Sequence, residues 1–419
     1  MGYLSAARTV AVVGVPWSEH ELRVAAAAAA RLDAELLLVD TRAELAGVEP
    51  GIRSLAVPEL EPKHVARVLD GIELDAVLSI TELHMATAAR VREVLGLRGT
   101  PAAAESAVMD KWATRELLRR GGLTGVDYRL TSLARLDATL AELPRPVVVK
   151  PRAFTGSHAV RLLSDGSDGR AGLETAFAAS HDPLADDVLV ETFLAGDEIS
   201  AEALVVDGRL HLLALTDKFT TAPPTFFEVG HVMPSRHSYF SPRVAEYLQA
   251  ICDELRVVTS AIHAELKLGE GDALDVVELH LRFGGGSIVR LLAEAYGVDA
   301  FECLLAAVLD GTVPPTRDPV GVAGVGFLGA PIDAPARLGR LVFPFPECIR
   351  LLDFDASRSP KVREHADVRL EYWRFGQVRS FGAYEQVVAN VLAVVECFEE
   401  ALREPGAARS ERFADCPAA

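Results

Sequence analysis

Cysteine is scarce in this chain: five residues among 419, at positions 252, 303, 348, 397 and 416, with no CxxC pair. That excludes a disulfide framework or a cysteine-built zinc site and fits reduced thiols in the cytosol. A basic excess is also missing, since the formal net charge is −18. A nucleic-acid-binding surface is thereby disfavoured, although a phosphorylated ligand can still sit in a locally basic pocket. No apolar run reaches membrane-spanning length; the alanine run Ala25–Ala30 is short and flanked by Arg23 and Arg31. The early segment "TVAVVGVP" ends in proline and lacks a cleavage site, so it reads as a buried first strand rather than a signal peptide. The turn after it, "GVPWSE", has no GxGxxG, which removes the dinucleotide fingerprint. There is no internal repeat. These absences lead us to expect a soluble, cytoplasmic protein that binds neither nucleic acid nor membrane.

What is present begins with alternation. Residues 9–105 run strand, helix, strand: "TVAVVGV", the helix Glu19–Leu32, "AELLLVD", the helix Pro62–Leu69, "DAVLSI" and the helix His84–Leu95. Such a pattern builds a small doubly wound parallel sheet. A helix Met109–Arg120 follows, stopped by Gly121-Gly122. "PVVVKP", "DVLVETFL", "EISAEALVVDG" and "RLHLLALTDK" then read as strands joined by tight turns. A helix from Pro242 leads into a strand, "AIHAELKL". Proline becomes frequent and short strands return after about residue 311. A last helix, Tyr384–Leu402, precedes a polar tail.

The chemistry concentrates in two stretches. In "VVELHLRFGGGSI", a strand places Glu278, His280 and Arg282 on one face and Val277, Leu279, Leu281 and Phe283 on the other. The preceding strand places His263, Glu265 and Lys267 on one face. A two-residue turn at Gly271-Asp272 pairs Glu270 with Ala273, which sets Glu265 opposite Glu278 and His263 opposite His280. Facing carboxylates repel, and a divalent cation such as Mg²⁺ would offset this. A solvated charged face is the plain alternative. Gly284–Gly286 weaken a strand but admit a ligand to backbone N–H groups at the start of a helix Ile288–Tyr296. Arg282 can fork onto phosphate or carboxylate. The second stretch is "VVVKPRAFTGSHAV", where Lys150 ends a strand beside a small-residue loop containing Gly156 and Ser157. Lys111 sits at the start of the helix before it.

Taken in order, Lys111, "VVKPRAFTGSHAV", "VETFLAGDEISAE", "IHAE" and "ELHLRFGGG" resemble the motifs of the ATP-grasp carboxylate–amine ligases over nearly the full length. The segment 215–235, "LTDKFTTAPPTFFEVGHVMPS", is similar to the substrate-proximal segment of the family's amino-acid ligases. The resemblance implies an ATP-grasp fold over 109–310, with a lid at about 122–192. An α/β domain over 1–108 precedes it, and a small C-terminal α+β subdomain over 311–405 and a flexible tail over 406–419 follow. It implies ATP and Mg²⁺ as cofactors. Lys111, Lys150 and Lys218 would meet the nucleotide, with Gly156 and Ser157 in a lid loop over the phosphates. Glu191 and the backbone of Thr192, Phe193 and Leu194 would hold adenine, and Glu198 the ribose. Glu265 and Glu278 would ligate the metal. Arg282, Gly285, Gly286 and Ser287 would meet the transferred phosphate or the substrate carboxylate, and Phe154, His158 and Glu228 would line the substrate pocket. Two departures stand out: His280 where asparagine usually completes the metal set, and Ala159 where the lid loop usually has glycine. The expected activity is ADP-forming ligation of a carboxylate to an amine through an acyl phosphate, with an amino acid as one small-molecule substrate. A carrier-bound substrate, a homodimer and a nucleotide-binding protein without turnover remain open.

Overall fold

The computed structural model describes residues 8–16, 19–48, 50–152, 156–157, 159–164, 187–223, 225–331, 349–354 and 372–403. Phe154, His158 and the tail 406–419 lie outside them, as does much of 311–405.

The N-terminal part is a four-stranded parallel sheet in the order Arg53–Val57, Ala34–Thr41, Arg8–Val13, Ala76–Leu78. Its inner strands are continuous apolar runs because both faces are covered. Val10, Val12, Leu36 and Leu38 pack into one core, with the helix Glu19–Arg31. Ala11, Val13, Leu37 and Val39 pack into another, with the helices Pro62–Leu69 and Met85–Val94. The strand Arg53–Val57 has no counterpart in the sequence reading. It is an edge strand whose residues are mostly exposed, so it lacks the apolar run that marks its neighbours.

Two helices stand where one was expected around residue 109. Ala102–Val108 ends first, and Asp110 caps a second helix, Lys111–Arg120, by accepting the N–H groups of Trp112 and Ala113. Downstream, a four-stranded antiparallel sheet runs Tyr128–Ser132, Asp187–Thr192, Val147–Pro151, Arg161–Leu163. The largest sheet has eight antiparallel strands: Leu274–His280, Ser260–Leu268, Asp197–Val206, Arg209–Thr220, Glu228–Met233, Val322–Pro331, Tyr372–Gly382 and Ile349–Phe354. The described strands after residue 311 thus extend this sheet. The helix Tyr384–Arg403 lies across it, Val387 and Val391 packing with Val232. That contact explains two strand glycines: a Cβ on Gly230 would come within 2.3 Å of Val391, and one on Gly324 within 2.5 Å of Val387. Among the described residues no helix is long and apolar enough to cross a membrane.

Candidate active site

The acid pair is built by strand register. Ser260–Leu268 and Leu274–His280 pair antiparallel with Glu265 opposite Glu278 and His263 opposite His280. The turn differs from the one expected. Leu268 pairs with Leu274 across a five-residue connection, in which Gly271 is left-handed (φ 63°) and Ala273 N–H donates to the Glu270 carbonyl. A bulge between Glu265 and Leu266 then shifts the register by one residue. The longer turn and the bulge cancel, so the acids still face each other.

Two lysines, from different elements, pair with the two carboxylates. Lys111 Nζ lies 2.9 Å from Glu278 Oε1. Lys218 Nζ pairs with Glu265, and also lies 2.9 Å from Glu228 and 3.3 Å from Glu198. Burial alone would raise the Glu265 pKa, but Lys218 and His263 pull it down to about 2. Glu278 is likewise desolvated yet held well below the carboxylate range by Lys111 and His280. Both acids are therefore ionised at neutral pH. The expected relief of their repulsion by a cation is met here by lysines. The donor set still fits Mg²⁺, because two ionised carboxylates on adjacent strands are its usual protein complement, with phosphate oxygens and water filling the remainder. Glu265, Glu278 and His280 do not converge as a three-ligand cluster; among the described residues the one such group is Glu59, Glu61 and His64, at the surface.

His280 is 5% exposed, its Nε2 3.8 Å from Glu278 and its Nδ1 3.7 Å from Glu82. Neither distance is a hydrogen bond, and Nδ1 has no hydrogen-bond partner. Its ring stacks 5.8 Å from that of His263. His263 in turn places Nδ1 2.5 Å from Glu202 and Nε2 3.6 Å from Glu265. Glu202 also accepts the Gly284 N–H at 3.0 Å. That amide, expected to face a ligand, is thus used internally. A Cβ at Gly285 would meet nothing within 4 Å, so the open side of the glycine run is there. Ser287 caps the helix Ile288–Tyr296 in a left-handed conformation (φ 67°) and donates its hydroxyl to Gln377 at 2.6 Å.

Arg282 does not stand alone: its guanidinium lies 2.5 Å from Glu82 and donates to the Phe283 carbonyl at 2.8 Å. Glu82 comes from the loop after the last parallel strand, so the N-terminal part contributes to the site. Arg282, Gly284, Gly285, Gly286, Gly156 and Glu82 all line one cavity of about 730 Å³.

Lys150 is 5% exposed and 2.6 Å from Glu191, which also receives Arg115 Nε at 2.6 Å. Arg115 lies 3.4 Å from Asp275, whose carboxylate accepts the Thr124 hydroxyl and the Gly125 N–H. Burial works against the Glu191 charge, but Arg115 and Lys150 bring its pKa down to about 2. Lys150 is shifted the other way, down, chiefly by burial. The Glu191 carboxylate, expected at the nucleotide base, meets these two cations. Of the neighbouring amides, Thr192 N–H donates to the Asp127 carbonyl and Phe193 N–H to that of Pro146. Leu194 packs in a small core with Trp112, and Phe193 stacks on Phe226 at 6.2 Å. The two lysine-bearing elements are joined by Arg152, which donates to Asp110 at 2.6 and 2.9 Å while its carbonyl accepts the Lys111 N–H. In the loop beyond, Gly156, Ser157 and Ala159 all adopt positive φ (67°, 57° and 55°). Ala159 therefore takes up the left-handed conformation for which glycine is the easier residue.

Sequence inspection missed Arg115, Asp275, Glu82 and Glu202. Arg115 carried a signal, since it lies four residues from Lys111 on one helix face. His231, also missed, is 2% exposed and packs edge-on to Phe327, 5.2 Å away, with Nε2 3.8 Å from Glu228.

A parallel sheet, a small antiparallel sheet carrying one lysine and a large antiparallel sheet carrying the acid pair define a class: this is the ATP-grasp fold. Comparison with known proteins agrees, as residues 143–289 match the model of the ATP-grasp domain. The chain is 26% identical over 274 residues to the alanine–anticapsin ligase of Bacillus subtilis (strain 168), covering 59% of this chain and 57% of that relative. It is 31% identical over 190 residues to the D-alanine–D-alanine ligase of Gluconobacter oxydans (strain 621H), covering 43% and 55%. The chain thus spans little more than half the length of these curated relatives. Among solved structures, the L-amino acid ligase from Bacillus licheniformis superposes with a TM-score of 0.70 at 18% identity, over 94% of this chain and 98% of that one. The N5-carboxyaminoimidazole synthetase from Staphylococcus aureus complexed with ADP gives 0.68 at 14% identity, over 95% and 100%. These likenesses show the fold.

Proposed function

We propose that this protein is an ATP-dependent carboxylate–amine ligase that forms ADP and phosphate, with an amino acid as one of two small-molecule substrates. The observation that carries the proposal is the ionised pair Glu265 and Glu278, bracketed by Lys111 and Lys218 and followed at once by Arg282 and the glycine run. In this reading Glu265 and Glu278 would hold Mg²⁺, which supplies charge neutralisation at the phosphates. Lys111 and Lys150 would bind phosphate oxygens, and Gly156 and Ser157 would lie over them. Arg282 would orient the attacking carboxylate, whose oxygen bonds to the γ-phosphorus as ADP leaves. The amine then attacks the acyl carbon, and phosphate departs. Such a transfer needs positioning and charge stabilisation rather than a protein nucleophile. Exclusion of water protects the acyl phosphate.

The similarity to amino-acid ligases supports the choice of substrate class. No observation favours a carrier-bound substrate. The test is ADP release measured by a coupled assay with Mg²⁺ across a panel of amino acids. ADP and phosphate, formed only when a carboxylate and an amine are both present, are the expected products. AMP with pyrophosphate, or no turnover with any pair, would overturn the proposal.

A further inference from the structure

The cavity beside Arg282 is much larger than the reacting groups need. Its volume of about 730 Å³ is that of a pocket for a sizeable ligand. It runs from Arg282 and Gly285 between apolar walls that include Leu78, Leu281 and Phe301. Two polar side chains on its lining stand out. Thr81 is 6% exposed and Glu105 is 2% exposed, and both line the cavity. Thr81 Oγ1 and Glu105 Oε2 are buried without a hydrogen-bond partner. Arg92, the nearest cation to Glu105, is 3.8 Å away and donates instead to the carbonyls of Val77 and Thr100. An unmade hydrogen bond on a buried polar atom is costly. Two of them on the wall of one cavity point to a ligand that completes them.

We propose that this cavity binds the side chain of the carboxylate substrate, and that this side chain is long and ends in a neutral hydrogen-bonding group that meets Thr81 and Glu105. The inference rests on the ligase reading and extends it to the substrate's chemical class. Burial raises the Glu105 pKa to about 8, so at neutral pH its carboxyl keeps a proton and can both donate and accept. An alanine-sized substrate leaves most of the space unfilled, and a wholly apolar side chain leaves both polar atoms unmatched.

The experiment measures ADP release and calorimetric binding for alanine and for two matched pairs, glutamine with methionine and tyrosine with phenylalanine. The proteins are wild type, Glu105→Leu, Glu105→Gln and Thr81→Val, with thermal melts as a check on folding. Wild type is expected to favour the polar member of at least one pair by about tenfold or more in kcat/KM, the size of one buried hydrogen bond, and to use alanine poorly. Glu105→Leu and Thr81→Val should erase that preference, and Glu105→Gln should restore most of it. Alanine turned over as well as the larger amino acids would overturn the inference while leaving the ligase reading intact. So would a Glu105→Leu loss shared equally by both members of a pair, since the polar atoms then serve only water or the fold. If no amino acid releases ADP, the ligase reading fails, and calorimetry decides the inference alone: Glu105-dependent binding of a polar-ended side chain supports it, and its absence sinks it.

Discussion

Arg115, Lys150, Glu191 and Asp275 form one buried charge cluster; Glu265, Glu278 and the groups around them form another, a few residues along the same strand. The first is closed. Its two acids meet its two cations, and Thr124 and Gly125 complete Asp275. The second is open. Glu82, Glu198, Glu228, Glu265 and Glu278 outnumber Lys111, Lys218, Lys267 and Arg282, and the His280 Nδ1 beside them has no hydrogen-bond partner. The same residue types thus serve two ends. A balanced cluster holds backbone elements in place, whereas one with surplus acid is where the proposed Mg²⁺ would bind.

The sharpest way to break this contrast is at the closed end. Arg115→Met strands Glu191 with Lys150 as its remaining partner, and removing one member of a buried ion pair costs about 3–5 kcal/mol. Urea unfolding should show a loss of that size. A loss below about 1 kcal/mol would mean that the cluster does not brace the fold. At the open end, Glu278→Gln should lower the melting temperature, because Lys111 and His280 stabilise the Glu278 charge, and should above all cut kcat/KM over a Mg²⁺ titration. The cut should exceed the roughly ten- to hundredfold typical of groups that only orient a metal ligand. His280 belongs to that latter range. His280→Ala should lose about ten- to a hundredfold in apparent Mg²⁺ affinity or rate, while His280→Asn keeps most activity. Identical Mg²⁺ curves for His280→Ala and wild type would remove it from the site.

The smallest effect is a pH slope. Glu105 titrates near 8 in the folded chain, raised by burial above its ordinary carboxyl value. A raised carboxyl pKa favours the fold at low pH and withdraws that support as pH climbs through 8. Glu105→Gln should therefore match wild type below about pH 4.5 and be the more stable protein, by about 1 kcal/mol or more, at pH 9. Parallel stability curves from pH 5 to 9 would show that Glu105 never holds its proton.

How far the sequence could be read differs in the same way between local and distant partners. The parallel sheet was legible because Val10–Val13 and Leu36–Val39 are continuous apolar runs between helices, while the exposed edge strand Arg53–Val57 gave no such pattern. The facing of Glu265 and Glu278 was reached from strand alternation and a two-residue turn, and it holds because the longer turn and the bulge offset each other. The partners of the charges did not. Glu191 meets Arg115 across 76 residues and Arg282 meets Glu82 across 200, and no period or spacing reports contacts of that range. Lys150 and Glu191 were placed at the nucleotide as separate contacts, and no spacing announced that they bond each other.

The bulge between Glu265 and Leu266 has a consequence for how this hairpin can vary. It acts as slack in the ladder: one residue gained at the tip is absorbed before the acids are reached. Removing Gly271 together with the bulge residue Val277 would shorten the hairpin and still leave Glu265 across from Glu278. Removing Val277 alone would also keep the acids facing, because Leu266 already sits opposite Val276, and would leave a regular ladder without the extra twist of the bulge. The tip is free to change length as long as Leu268 keeps Leu274 as its partner, and the facing of the acids rests on that pairing.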